Sequence, residues 1–525
     1  MSTVPAVRIK KANQAAISRR GDYVLYWMIS SRRLHYNFAL DRALEHCAAL
    51  NQPLLIFEAL RIDYPWASDR LHRFVTDGMA ENACYCQQRG VGYFAYIEPR
   101  PGAGKGLLAA LAENASVVVT DNFPCFFLPQ MVASAAKKLP VLLESVDSNG
   151  MLPIYVPGQV ATRAFDFRRL LQTELPKHLG DRPHPDPLRN AKPIRTRLLS
   201  EKVTFNWPMA SEALLKGEPG SLNGLPLDHS VRAAPLRGGH SSARSSLLHF
   251  LDHKLPHYSD ERNEPDSDVA SGLSPFLHFG HLSVHEVFAE LVQRENWQPE
   301  KLALGANGNR RGWWNMSPNA ESFLDELITW RELGYNFSAY RADYDKYQSL
   351  PDWVQKTFKE HTADEREHLY TLEEFASGKT HDPLWNAAQI QLVRDGRIHN
   401  YLRMLWGKKI LEWTRTPEEA LKIMIHLNNK YALDGRNPNS YSGIFWVLGR
   451  YDRPWAPIRP IFGSVRYMSS KNTARKVSIQ NYLSKYCPEA APQKQLSFGA
   501  PPLAEPSSTL NLGVPSVAPA RKCDE

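Results

Sequence analysis

The chain has 525 residues, 43% apolar and 10% aromatic, and its 63 Lys and Arg outnumber 55 Asp and Glu for a formal charge of +8. That length exceeds one hydrophobic core and predicts two domains, and no apolar run is long enough to span a bilayer. The six cysteines are scattered without a C-x-x-C pair, which argues against a disulfide framework, a zinc site or an iron–sulfur cluster and fits a reducing intracellular compartment.

Residues 1–20 form a basic arm without acids or an apolar h-region, so no secretory signal is expected. From 21 to 152, short apolar runs alternate with helical stretches. The strand candidates are YVLYWM (23–28), PLLIFEA (53–59), GYFAYIE (92–98), SVVVTD (116–121) and VLLESVD (141–147), with a helix over 38–50. Continuous rather than alternating apolar runs predict a parallel sheet covered on both faces, a Rossmann-like α/β domain. The loop RPGAGKG (100–106) has Gly106 where a phosphate cradle needs Ser or Thr to hold magnesium, so it is a surface turn. Residues 153–245, rich in Pro, Arg and Gly, predict a long irregular linker. From 246 to 484 the period becomes helical, predicting an all-α domain, and 485–525, rich in Pro, Ala and Ser, read as a disordered tail.

Within the helical region, His278, His281 and His285 have helical ligand spacing, but no Cys or carboxylate completes a tetrahedral set, so no metal is expected. Trp406 and Trp413, seven residues apart, share a helix face about 10 Å apart along the axis. Such a stripe alone is ordinary core packing. It belongs, however, to a longer series of motifs: GDYVLYWM (21–28), YSDERNEP (258–265), SGLSPFLHFG (271–280), FLDELITWREL (323–333), DPLWNAAQ (382–389), RMLWGKKILEW (403–413), YALDGRNPNSY (431–441) and PIFGSVRYM (460–468). In this order they resemble the photolyase and cryptochrome family, and within it the class II cyclobutane-dimer photolyases.

That resemblance implies an all-helical FAD-binding domain behind an antenna-type α/β domain, with a deazaflavin antenna left open. It assigns the FAD phosphate and ribityl loop to Tyr258, Ser271, Gly272, Leu273 and Ser274, where backbone amides and hydroxyls meet the pyrophosphate at a helix start. The same loop is equally an ordinary helix N-terminus. Arg403 and Asp434 resemble the ion pair beside the isoalloxazine, and Asn428 the carboxamide facing flavin N5, able to donate or accept. Glu326 matches the carboxyl that touches the pyrimidine dimer, and Trp330 and Trp446 the aromatic walls of its pocket.

Asn400 and Met404 stand where relatives that repair (6-4) photoproducts carry two histidines for proton transfer. Neither residue relays a proton, so a cyclobutane substrate is favoured. Trp406, Trp385 and Trp413 resemble the class II relay that carries electrons from the surface to the flavin. Arg450, Arg453, Arg466 and Lys471, interleaved with aromatics, are the expected DNA contacts, consistent with the basic balance of the chain.

The activity implied is light-driven repair of cyclobutane pyrimidine dimers in DNA by a monomeric carbon–carbon lyase away from membranes, cytoplasmic or, in a eukaryote, nuclear. The rival is a cryptochrome-type blue-light photoreceptor that keeps flavin and tryptophans but signals to a protein partner, a role the tail would suit. Glu326, Trp330, Trp446 and Met404 argue for the lyase, because only a dimer pocket requires them.

Overall fold

In the computed structural model, residues 4–190 and 199–487 are described. The N-terminal part is a six-stranded sheet in the order β1-β6-β5-β2-β3-β4, with β1 Ile9–Lys11, β2 Tyr23–Met28, β3 Leu54–Leu60, β4 Gly92–Ile97, β5 Ala115–Asp121 and β6 Leu143–Val146. The expected Rossmann-like domain is present: β2 to β6 run parallel, and every residue of β2 is buried. Successive β2 residues feed opposite faces, Val24, Tyr26 and Met28 into one core and Tyr23, Leu25 and Trp27 into the other. This is the period-2 arrangement of a sheet covered on both sides. The helix Phe38–Leu50 starts where Asn37 accepts from the amides of Ala39 and Leu40.

Three expectations need correction. The basic arm, expected to precede the α/β domain, contributes to its sheet, because β1 lies within it and pairs antiparallel with β6, Lys10 opposite Ser145. The stretch 153–245 is not irregular throughout. It contains the helix Ala164–Glu174, whose Phe167 and Leu171 enter the core of the helical domain, and the first helix of that domain, His240–His249, begins inside it. The described residues from 485 do not read as a disordered tail. Tyr486 is buried, accepts from Gln391 at 3.2 Å and donates to Asp395 at 2.8 Å; the remainder, from 488, lies outside the described residues.

The helical part has two cores, one around Phe250, Phe276 and Phe323 and one around Trp385, Trp406 and Trp413. In the second core the helix Pro383–Asp395 stops at Gly396, with φ +69°, before Asn400–Glu412 begins, an Asp-Gly pair ending the helix. No helix among the described residues is long and apolar enough to cross a membrane.

One helix ties the two parts together. In Arg331–Tyr340, the Arg331 guanidinium donates to the carbonyl of Asn149 at 2.7 Å, and Glu332 accepts from the amides of Met151 and Leu152 at 2.6 and 3.1 Å. Burial raises the Glu332 carboxyl to about 7, against the opposing pull of Arg331 and those amides. The same helix crosses Pro438–Val447 with no room to spare: a Cβ on Gly334 would stand 2.7 Å from the Cα of Asn439. Gly334→Ala is therefore expected to lower unfolding free energy by about 1–3 kcal/mol through overpacking, read as a shift of the denaturant midpoint at constant slope.

Candidate functional site

The helix Pro318–Leu324 passes into a π-helical turn, Asp325–Trp330, before Arg331–Tyr340. Such turns are frequent at functional sites, because the wider turn re-aims side chains. Here it carries both Glu326 and Trp330. The close crossing at Gly334 brings Trp446 alongside, so that the Trp330 and Trp446 rings lie 5.2 Å apart at 37°. Both are only partly buried, leaving an aromatic floor open to solvent.

Glu326 is held by Arg262, which donates to it at 2.5 Å. Arg262 lies in a quoted motif, yet nothing in the motif marks it apart from a solvated arginine. The structure singles it out because the guanidinium also lies 5.8 Å from the ring of buried Tyr258. Arg262 thus joins a residue of the expected cofactor loop to the expected substrate carboxylate. Burial raises the Glu326 pKa above the ordinary carboxylate value, and Arg262 opposes the rise. On the far side of the turn, Arg168 grips Asp325 at 2.7 and 3.1 Å.

A second cluster lies on the helices Asn400–Glu412 and Pro417–Tyr431. Arg403 meets Asp434 at 3.1 and 3.2 Å. Asn428 is buried and donates to the Ser440 hydroxyl at 2.6 Å. Gly272 has φ +68° with open space where a Cβ would stand, while the Ser271 hydroxyl accepts from the amide of Leu273 at 3.4 Å ahead of the Ser274–Phe279 helix. His399 is buried with both ring nitrogens unpaired. Beside it in sequence, Asn400 is exposed, and Met404 one turn on is half-buried.

The three tryptophans expected to form a relay pack together. Trp406 donates to the Gln389 carbonyl oxygen at 2.9 Å, Trp385 donates to the backbone carbonyl of Trp406 at 2.9 Å, and the Trp385 and Trp413 rings lie 6.0 Å apart. None reaches the surface: their exposures are 2%, 0% and 3%.

Of the expected DNA contacts, Arg453, Arg466 and Lys471 are exposed, with both guanidinium groups against Trp455, at 5.5 and 4.8 Å. Arg450 is a correction. It is 5% exposed, packs 3.8 Å over Phe337 and donates to the Ser349 carbonyl at 2.6 Å, so no phosphate can reach it. The three histidines diverge. His278 accepts from Asn437 and His281 from the amide of Gly239, while His285 packs edge-on against Phe38. Among the described residues no group of His, Cys, Asp or Glu has the arrangement of a metal site.

Replacing Arg262 by Gln removes the one cation that lowers the Glu326 pKa by direct contact. The carboxyl should then titrate at higher pH than in the parent, so that more of it is protonated at neutrality. Difference infrared spectra of the carboxylic C=O band across pH would register that upward shift; a band that titrates unchanged contradicts the ion pair.

Comparison with known proteins places this geometry in context. The chain is 35% identical over 488 residues to the deoxyribodipyrimidine photo-lyase of Methanothermobacter thermautotrophicus, covering 92% of this chain and 98% of that one. Identity is 33% over 471 residues to the Potorous tridactylus protein of the same name, covering 88% and 81%, and 31% over 485 residues to that of Arabidopsis thaliana, covering 91% of each. A bacterial class III photolyase from Agrobacterium tumefaciens has the same fold, with TM-score 0.63 and 16% identity, covering 89% of this chain and 87% of that one. No family model matches.

Proposed function

This chain belongs to the deoxyribodipyrimidine photo-lyase family, and from that membership we propose that it repairs cyclobutane pyrimidine dimers in DNA by light-driven electron transfer from reduced FAD. The observation that supports the reading is the pairing of the partly exposed Trp330 and Trp446 rings next to a π-helical turn that also carries Glu326, held by Arg262.

The residues present suit the cofactor. Arg403 and Asp434 are a ready-made ion pair for the edge of a polar heterocycle, and buried Asn428 carries a carboxamide that can donate or accept. The unpaired ring of His399 and the open backbone at Gly272 leave polar groups and space for a ligand. Tyr258, Ser271, Gly272, Leu273, Ser274, Arg403, Asn428 and Asp434 would hold FAD, which when bound supplies the light-excited electron donor.

Base-flipping enzymes, photolyases among them, act on nucleotides drawn out of the duplex. In this chain Trp330 and Trp446 receive the extruded dimer on their faces, and aromatic walls suit stacked bases. Glu326, held in place by Arg262, hydrogen-bonds the extruded pyrimidine. An added electron weakens the two bonds of the cyclobutane ring; both break, the electron is returned, and no net redox change results. Asn400 and Met404 offer no proton because the reaction consumes none. Arg453, Arg466 and Lys471 meet phosphates of the distorted duplex.

Trp330→Ala or Trp446→Ala is expected to weaken binding of a dimer-containing oligonucleotide roughly 5- to 150-fold, base–aromatic stacking being worth about 1–3 kcal/mol. The parent protein, reduced and illuminated with blue light, should restore thymines in that oligonucleotide. Bound flavin without restored thymines would instead assign the chain to the photosensors. Mass spectrometry of extracted chromophores shows whether a deazaflavin accompanies the FAD.

A further inference from the structure

Lys408 is fully buried, at 0% exposure, on the helix Asn400–Glu412 that also carries Arg403, Met404 and Trp406. Its neighbour Lys409 pairs with Glu412 at 2.6 Å, whereas Lys408 pairs with no carboxylate among the described residues. Its ammonium instead donates to the backbone carbonyl of Val447 at 2.5 Å. An enclosed ammonium without a counter-charge is costly, and a Met side chain would fill the same space without that cost. Packing alone does not account for a charge at this position.

Val447 ends the helix that carries Trp446. The carbonyls of Ile444, Phe445 and Trp446 accept from the amides of Leu448, Arg450 and Gly449 at 3.4, 2.9 and 2.9 Å. Gly449, with φ +105°, makes the turn that these closing bonds require. The Val447 carbonyl lies just beyond them and takes the Lys408 ammonium. Gly407 adds a close fit at the same point, since a Cβ there would stand 2.8 Å from the Val447 side chain. From this turn the chain runs into Asp452, which accepts from the Trp455 indole at 2.9 Å. Trp455 in turn lies against the guanidinium groups of Arg453 and Arg466. The helix of Arg403, the Trp446 wall and the basic face therefore meet at one carbonyl.

We propose that Lys408 is a positioning residue for recognition of the damaged strand: its ammonium pins the turn between Trp446 and Arg453, so that the aromatic floor and the phosphate contacts keep one relative placement. The inference rests on the repair reading given above. Enclosed by protein, Lys408 acts through the Val447 carbonyl rather than by contact with DNA. Burial lowers its pKa to about 7, with Asp452 opposing that fall and Arg466 adding to it. The ammonium predominates below that pH and makes a charge-assisted bond, roughly twice as strong as a neutral one. Recognition is therefore tighter on the acid side of neutrality and weakens as the proton leaves.

The test uses the full chain with FAD bound and measures its affinity for a dimer-containing oligonucleotide relative to the undamaged counterpart. In Lys408→Met that ratio should fall several-fold at about pH 6, and the difference from the parent should shrink by about pH 8.5, titration of Glu326 being common to both. The loss should lie in affinity, with repair per absorbed photon at saturating oligonucleotide unchanged. The denaturant midpoint of Lys408→Met should match or exceed that of the parent, because a buried charge has been removed. Asp452→Asn keeps an acceptor for Trp455 but withdraws the charge that favours the ammonium. It should move the loss of discrimination to lower pH, and it decides the matter if Lys408→Met does not fold. An affinity ratio equal in Lys408→Met and the parent throughout, or a profile unmoved by Asp452→Asn, overturns the proposal and leaves the repair reading intact. A fall in the ratio that is independent of pH and comes with a lower midpoint marks general loosening and also overturns it. A parent that binds both oligonucleotides equally at every pH removes the repair reading and this inference with it.

Discussion

The contact on which the rest depends is the crossing of the Arg331–Tyr340 and Pro438–Val447 helices at Gly334. A side chain there would strike the backbone of Asn439, and only its absence lets the helices approach until Trp330 and Trp446 share one surface. The same helix carries Arg331 and Glu332, which bind the backbone of residues 149–152 in the sheet part. A single element therefore makes the crossing that aligns the aromatic floor, joins the two parts and continues the π-helical turn that carries Glu326 and Trp330. Interiors are packed too densely to absorb a shift at one of these points without moving the others.

Three ion pairs frame the site. Arg168 with Asp325, Arg262 with Glu326, and Arg403 with Asp434 each join segments far apart in the chain. Removing one member of such a pair strands the other in a medium that solvates it poorly, which makes the pairs stronger determinants of geometry than of net stability. The tryptophan cluster follows the opposite rule. Its three indoles are enclosed, two of them with their N–H groups satisfied internally.

Local pattern carried far in this chain. The parallel strands were legible because each is a continuous apolar run, and β2 matches its expected bounds, Tyr23–Met28. The helix end at Gly396 was legible because an Asp-Gly pair breaks a periodic pattern. β1 was not, since Ile9–Lys11 offers one apolar residue and two exposed lysines, and its strand character comes from pairing with β6. The helix Ala164–Glu174 was hidden within a Pro- and Arg-rich stretch, and its Phe167 and Leu171 acquire a role only against a core assembled much later in the chain.

The amino-acid sequence by itself determined the α/β-then-α architecture and the identities of the aromatic and charged residues from which a site can be built, because periodicity and motif order are properties of the chain. Only the tertiary structure decided which of them converge. Arg450 reads as one more basic residue in a basic segment, yet it is spent inside on Phe337 and Ser349. Arg262 and Lys408 read as unremarkable, yet one holds the Glu326 carboxyl and the other holds the Val447 carbonyl. The physical reason is common to all three: what a polar side chain does depends on the partner and the water it meets, and both are set by contacts across long sequence separations that no local pattern records.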